Sequence, residues 1–244
     1  MKKNLATLSV LMGLTLSLTG CLSTQIDFNQ YKPTAILSIS AEDDIIWADE
    51  ERSSSTGLLN GVINKKVNEK ASDQAKKALE FVSVLFPESE KMIVEAFENS
   101  GKATFIDKDT VVNSESYKNL YSNKVLDTLE TAVTPENYRI IYNPRDVDYV
   151  SFSEETGAKS FMYITMDFRK TMSTGLGKTG TMKALVTTSI ELYDENKKII
   201  AWSKGTGVSS KTAGVVMGAY DSVKLMELFP EAIKKSLEDA VSKL

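Results

Sequence analysis

Three segments in the second half of the chain constrain its fold more than any other feature: residues 160–169 (SFMYITMDFR), 182–193 (MKALVTTSIELY) and 198–203 (KIIAWS). Each mixes β-branched or aromatic residues with polar ones at close to every second position, the period of a strand. The second and third are joined only by Asp194-Glu195-Asn196-Lys197, and so short a polar turn forces its strands to run antiparallel. The three read as an antiparallel meander. A meander must bury its apolar face against something, and helix-period stripes supply the cover. Ile233, Leu237, Ala240, Val241 and Leu244 form one stripe, and Ile93, Val94 and Phe97 form another.

The remaining elements follow from the same periodicities. Residues 34–40 (TAILSIS) read as a buried strand and residues 103–107 (ATFID) as a second. Apolar positions recurring every three or four residues predict one long or two shorter helices over 58–85. Pro87, followed by Glu88 and Glu90, predicts a fresh helix entrance, with Gly101 as its stop. A helix is expected near 124–132, a minor strand or loop at 139–142 (RIIY), and a helix over 147–156 closed at Gly157. The last helix, 231–244, is opened by Pro230; Leu-Phe-Pro-Glu occurs at 85–88 and again at 228–231, which reads as two similar helix starts. The expected order is β-α-β-α-β-β-β-α. The class is α/β of the α+β kind: a mixed sheet with a three-stranded antiparallel meander and helices packed on it. One such domain is expected over residues 34–244, with an irregular and helical insertion at about 41–85.

At the amino end, Lys2 and Lys3 precede an apolar run closed by Leu18-Thr19-Gly20-Cys21. The run is shorter than the roughly 20 apolar residues a spanning helix needs, so residues 1–20 read as a cleaved signal peptide. The tetrapeptide resembles a bacterial lipobox, with cleavage between Gly20 and Cys21. Cys21 is the lone cysteine and has no partner for an intrachain disulfide. The competing readings are a signal cut elsewhere, or a cysteine buried as a small hydrophobe. Resemblance to lipoproteins implies a thioether-linked diacylglycerol on Cys21 and further acylation, and two or more chains hold a protein stably to a membrane. Leu22, in place of aspartate, implies the outer membrane, facing the periplasm, in a Gram-negative envelope. Residues 21–33 are expected to be a tether.

Removal of residues 1–20 takes away two lysines and no acid, leaving 27 basic against 33 acidic residues. A body of net charge −6 without a basic run makes nucleic acid an unsuitable partner. The chain contains no histidine, which excludes Ser-His-Asp and Cys-His catalysis and the usual zinc sites. Paired carboxylates remain conceivable at Glu42, Asp43 and Asp44 and at Asp49, Glu50 and Glu51, as acids for glycoside hydrolysis or oxygen ligands for a hard cation. Such runs are far more often solvated loops, and their spacing is not that of a calcium loop. No cofactor or metal site is expected. Residues 175–180 (GLGKTG) match a dinucleotide fingerprint in letters alone, because they lead into a strand rather than a helix; they read as a flexible connection between strands.

Two glycine-punctuated apolar segments, 56–63 (TGLLNGVI) and 213–220 (AGVVMGAY), read either as core packing or, if exposed, as a contact patch centred on Leu58, Leu59, Val215 and Val216. Trp202 is expected in the core or hairpin. Trp47, beside acids in an irregular segment, is a candidate contact residue.

Taken in order, TAILSIS, EAFENSGKATFIDKDTV, EETGAKSFMYITMDF, SIELYDENKKIIAWSKGTGVSS and FPEAIKKSLEDAVSKL resemble successive segments of the amino-terminal domain of TolB and of related envelope lipoproteins. The latter are the curli-secretion lipoproteins and the lipoprotein activators of penicillin-binding proteins. The resemblance implies binding and assembly roles without a catalytic centre and transfers no site residue. Together these readings give a membrane-anchored, non-enzymatic envelope lipoprotein that docks to another envelope protein, with homo-oligomerisation open. The alternative is a carboxylate-dependent enzyme or a lipoprotein binding a cation or small ligand.

Overall fold

The computed structural model describes residues 26–42, 44–50, 72–120 and 132–244, with the backbone alone over 72–81. The leader, Cys21, Asp43, Glu51, Leu58, Leu59 and most of the helix expected near 124–132 lie outside the described residues.

The described strands form one mixed sheet with several helices on it, an α+β arrangement. Strand β1 (Thr34–Glu42) runs parallel to β4 (Ser160–Leu176), which pairs antiparallel with β5 (Thr179–Asp194), itself antiparallel to β6 (Ile199–Val208). This is the expected meander, with longer strands. Four short strands complete the sheet: β2 (Ile46–Trp47) beside β4, β3 (Ala132–Val133) beside β1, and β7 (Ala213–Val216) with β8 (Ala219–Tyr220) beyond β5. The helices are α1 (Ser72–Ser100), α2 (Lys108–Asn113), α3 (Glu115–Lys118), α4 (Tyr149–Thr156), α5 (Ser222–Met226) and α6 (Phe229–Ser242).

Strand alternation separates two cores. Met162, Ile164, Met166 and Phe168 of β4, with Met182, Ala184, Val186 and Ile190 of β5, face Phe86, Ile93 and Phe97 of α1 and Ile233 and Leu237 of α6. Phe161, Tyr163 and Tyr193 point the other way, against Tyr117 of α3 and Tyr149 and Phe152 of α4. That second core covers only the end of the sheet where β4 begins, here called the base. Past Tyr163, the residues on this face are Thr165, Asp167 and Arg169, which lie outside both cores. α4 is bounded as its sequence suggests, by Asp148 accepting Ser151 N–H at its start and Gly157 at φ 75° at its end.

Four expectations are corrected. Pro87 does not open a helix but sits inside α1. An internal proline costs about 3 kcal/mol; Val82, Leu85, Phe86, Ile93 and Phe97, all buried on either side of it, outweigh that cost. Residues 103–107 form no strand. Phe105 makes one isolated bridge to Thr34, and Asp107 then caps α2 through the N–H groups of Asp109 and Thr110. Residues 175–180 are not a flexible link, because β4 and β5 continue to a two-residue turn, Gly177-Lys178. Gly175 and Gly180 oppose each other there at φ 116° and 145°, and a Cβ on either would fall 2.0–2.1 Å from a carbonyl oxygen of the facing strand. Lastly, the tether cannot extend past residue 25. Residues 28–31 form a 3-10 turn, Ile26 and Phe28 pack on the core, and Ser160 Oγ donates to Tyr31 O at 2.7 Å.

Candidate functional site

The unusual chemistry of the described residues lies at the end of the sheet away from the base, where β4, β5, β2 and the β7–β8 hairpin meet. Its centre is Lys170 of β4, only 6 % exposed. Parallel pairing sets Trp47 opposite Lys170, and Ala48 N–H donates to Lys170 O at 2.9 Å, so β2 is fastened across the lysine. The Lys170 ammonium donates to Ile45 O and lies 5.3 Å from the Trp47 ring centroid and 5.2 Å from that of Tyr220. Burial pushes its pKa down to about 8, against the opposing pull of Glu50. Lys178, from the hairpin turn, stands 5.2 Å from the Trp47 ring and pairs with Glu50, whose carboxyl is held below its ordinary range chiefly by that hydrogen bond. Arg169 pairs with Asp167 at 2.7 Å and donates to Glu50 O at 3.2 Å. Two lysines, an indole and a phenol thus brace the distal sheet.

Two tight turns sit on this brace. Gly177-Lys178 joins β4 to β5, and Met217-Gly218 joins β7 to β8. They are tied together by Gly218 N–H to Lys178 O at 2.8 Å and Met217 N–H to Thr179 Oγ1 at 2.9 Å. Gly218 has φ 84° and Met217 φ 50°, a left-handed conformation that glycine and asparagine adopt at less cost. Around the turns the large apolar side chains point outward. Leu176 is 91 % exposed, Met217 89 % and Val216 63 %.

The sequence-derived contact residues divide on this geometry. Val216 belongs to the apolar apex. Val215, one residue earlier on β7, faces the core, because strand alternation turns neighbours to opposite sides. Trp47 is buried rather than presented, since Lys170 and Lys178 occupy its ring faces. Trp202, expected in the core or hairpin, lies on β6 of the β5–β6 hairpin and is 58 % exposed. Lys170, Leu176 and Met217 were not anticipated from sequence. The available signals were a lysine within an alternating strand and a glycine following Met217 between two short apolar runs, the latter a hairpin pattern.

Of the acids at 42–44 and 49–51, Asp43 and Glu51 lie outside the described residues. Glu50 is held by Lys178, and among the described residues no group of three or more acids, cysteines or histidines converges on a metal-sized space. Two cavities lie nearer the base. One of about 90 Å³ is lined by Ile36, Ile39, Phe105 and Tyr138, with the Glu90–Lys108 ion pair beside it; the other, of about 200 Å³, is lined by Asp109, Asn113 and Arg139. Both fall short of the roughly 300 Å³ at which small-molecule sites begin.

Fold and apex together define an α+β protein with a braced, apolar double-hairpin tip and no helix, among the described residues, long and apolar enough to cross a membrane. The chain is similar over 86 % of its length to the hypothetical protein CT253 from Chlamydia trachomatis (90 % of that chain, 9 % identity, TM-score 0.36). It is also similar over 81 % of its length to lipoprotein GNA1162 from Neisseria meningitidis (92 % of that chain, 12 % identity, TM-score 0.24). Both likenesses are weak. No protein-family model and no curated protein sequence matches the chain.

Proposed function

We propose that this chain is a lipid-anchored envelope protein that works by docking, with the apex of Leu176, Val216 and Met217 as its contact surface. The anchor is the acylated Cys21 of the lipobox, held to the outer membrane in a Gram-negative cell. The observation that carries docking is the concentration of exposed, large apolar side chains on the two turns, above a stem braced by Lys170 and Trp47. Water-exposed apolar side chains gathered at one place favour association, and a rigid support lowers the ordering cost of contact. The anchor and the contact occupy opposite ends. Tyr31 lies at the base, bonded by Ser160, whereas the turns close the far ends of β4 and β5.

Site-specific photocrosslinking in intact cells tests this reading. A crosslinker replacing Met217 should capture envelope components more than tenfold above one replacing Val150, an exposed residue of α4 at the base. Equal capture from both positions refutes docking through the apex. Mass spectrometry of the mature protein tests the anchor separately, and an unmodified Cys21 thiol refutes it.

A further inference from the structure

We infer that what the apex docks to is a lipid surface facing the one that holds Cys21, an inference that rests on the docking role proposed above. Three observations carry it. The first is shape and size. Leu176, Val216 and Met217 crown two adjacent turns and form a projection, not a groove or a flat face. Three side chains cannot supply the roughly 800 Å² per partner of a stable protein interface. A bilayer interface asks for no complementary shape, only for apolar area.

The second is how the turn polar groups are satisfied. Gly218 N–H bonds to Lys178 O, Met217 N–H to Thr179 Oγ1, and the hydroxyls of Thr174 and Thr181 bond to each other at 2.7 Å. Groups entering the edge of an apolar phase must be satisfied internally, and these are. Below them the Lys178 ammonium, paired with Glu50, lies at the level where a cationic side chain meets headgroups. Methionine at a left-handed turn position, almost fully exposed, serves the fold worse than asparagine or glycine would. Its residue type therefore answers to what the turn touches.

The third is distance, which selects the surface. β4 carries the chain over 17 residues from the base to the apex, about 50 Å at 3.3 Å per residue. Tyr31 is fixed at the base by Ser160, and the ten steps back to Cys21 reach at most about 36 Å. With the apex inserted end-on, the base stands farther from that surface than Cys21 can reach, so the two attachments fall on different surfaces.

The full-length lipidated protein allows a direct test. Acylation blocks the sulfur of Cys21, so Met217→Cys provides a single thiol for an environment-sensitive fluorophore. The labelled protein is reconstituted through its own anchor into vesicles of phosphatidylethanolamine and phosphatidylglycerol, and a second population of the same composition is added. Emission should shift to the blue, and brominated lipid in the added vesicles should quench it at least threefold more than brominated lipid in the anchoring vesicles. Leu176→Lys in the labelled protein should weaken the response about tenfold with an unchanged circular dichroism spectrum. Emission that stays aqueous with both populations overturns the inference. So does quenching from the anchoring vesicles alone, or a shift that requires added envelope protein and disappears on protease treatment. The last outcome leaves docking standing and assigns it to a protein partner. A bare Cys21 in the mass spectrum refutes the anchor and with it the facing-surface geometry.

Discussion

The carboxylate of Asp239 in α6 accepts the backbone N–H of Thr206 in β6 at 2.9 Å. Three bonds run beside it: Ser210 N–H to Glu231 at 2.9 Å, Lys235 to Val208 O at 3.2 Å, and Lys243 to Lys204 O at 3.0 Å. The helix residues recur every four positions and the strand residues every two, spacings of about 6 Å and 6.6 Å, so the two series stay in step. Side chains of α6 thus meet the outer edge of β6 as a further strand would. An edge satisfied in this way is a poor template for pairing with another chain.

The ladder makes the fold acid-sensitive. Its hydrogen bonds to Lys235 and Ser210 pull the Glu231 carboxyl down to about 2, and those to Lys243 and Thr206 lower that of Asp239. A carboxyl whose folded pKa is depressed contributes stability above its unfolded value, near 4.5 for Glu231, and loses it as pH falls toward the folded one. Urea midpoints measured from pH 5 down to pH 2 should therefore fall, and Glu231→Gln should flatten the slope. An unchanged slope in that variant means that the bond does not act in solution.

The same helix depends on two glycines beneath it. A Cβ at Gly205 would lie 2.2 Å from Ser236 O and Ala240 N, and one at Gly207 would lie 2.0 Å from Ala232 O. These obstacles are backbone atoms, which cannot rotate aside. Gly205→Ala should cost about 3 kcal/mol, read from the urea midpoint. A loss below about 0.5 kcal/mol means that α6 does not seat on β6 this closely.

What the sequence conveyed and what it withheld divide along physical lines. Alternation along β4 and β5 and the stripe of α6 were legible because each is a repeated local signal that agrees with its environment. The tetrapeptide Leu-Phe-Pro-Glu shows the limit of such signals. At 228–231 its proline lies in the first turn of α6, whereas at 85–88 the same letters lie within α1, and buried contacts distant in sequence decide between them. The apex was illegible for a related reason. Val215 and Val216 are neighbours in one apolar run, and only pairing with β5 shows which is buried. Lys170 is marked locally only as a lysine in an alternating strand, which does not show its burial, since its environment comes from β2 and β8.

Lys170 should shape stability in alkali. Its folded pKa of about 8 lies below the ordinary 10.5, so between those values the unfolded chain binds the extra proton and stability rises with pH. Tyrosine acts oppositely. Burial raises Tyr117 and Tyr193 from 10 to about 12, and their contribution, complete below pH 10, is lost above it. Stability should climb from pH 8 to about 10, by on the order of 1–2 kcal/mol, and then fall. Lys170→Met should remove the climb and keep the fall. If the variant and the unsubstituted protein rise alike, Lys170 is not the group responsible.

The last prediction sets fold against contact at Met217. Its φ of 50° is a region where a non-glycine side chain crowds its own backbone, and asparagine bears that better because its short amide bonds locally. At 89 % exposure the methionine side chain contributes little packing to offset the strain. Met217→Asn should therefore raise stability by about 0.5 kcal/mol, seen as a higher urea midpoint with the same slope. In the same variant, crosslinking through a probe at Val216 should fall severalfold, because the most projecting apolar group is gone. The two changes must part company for the reading to hold. A variant that is more stable and still crosslinks fully makes Met217 incidental, and one that loses stability shows that the methionine is held by packing and serves the fold after all.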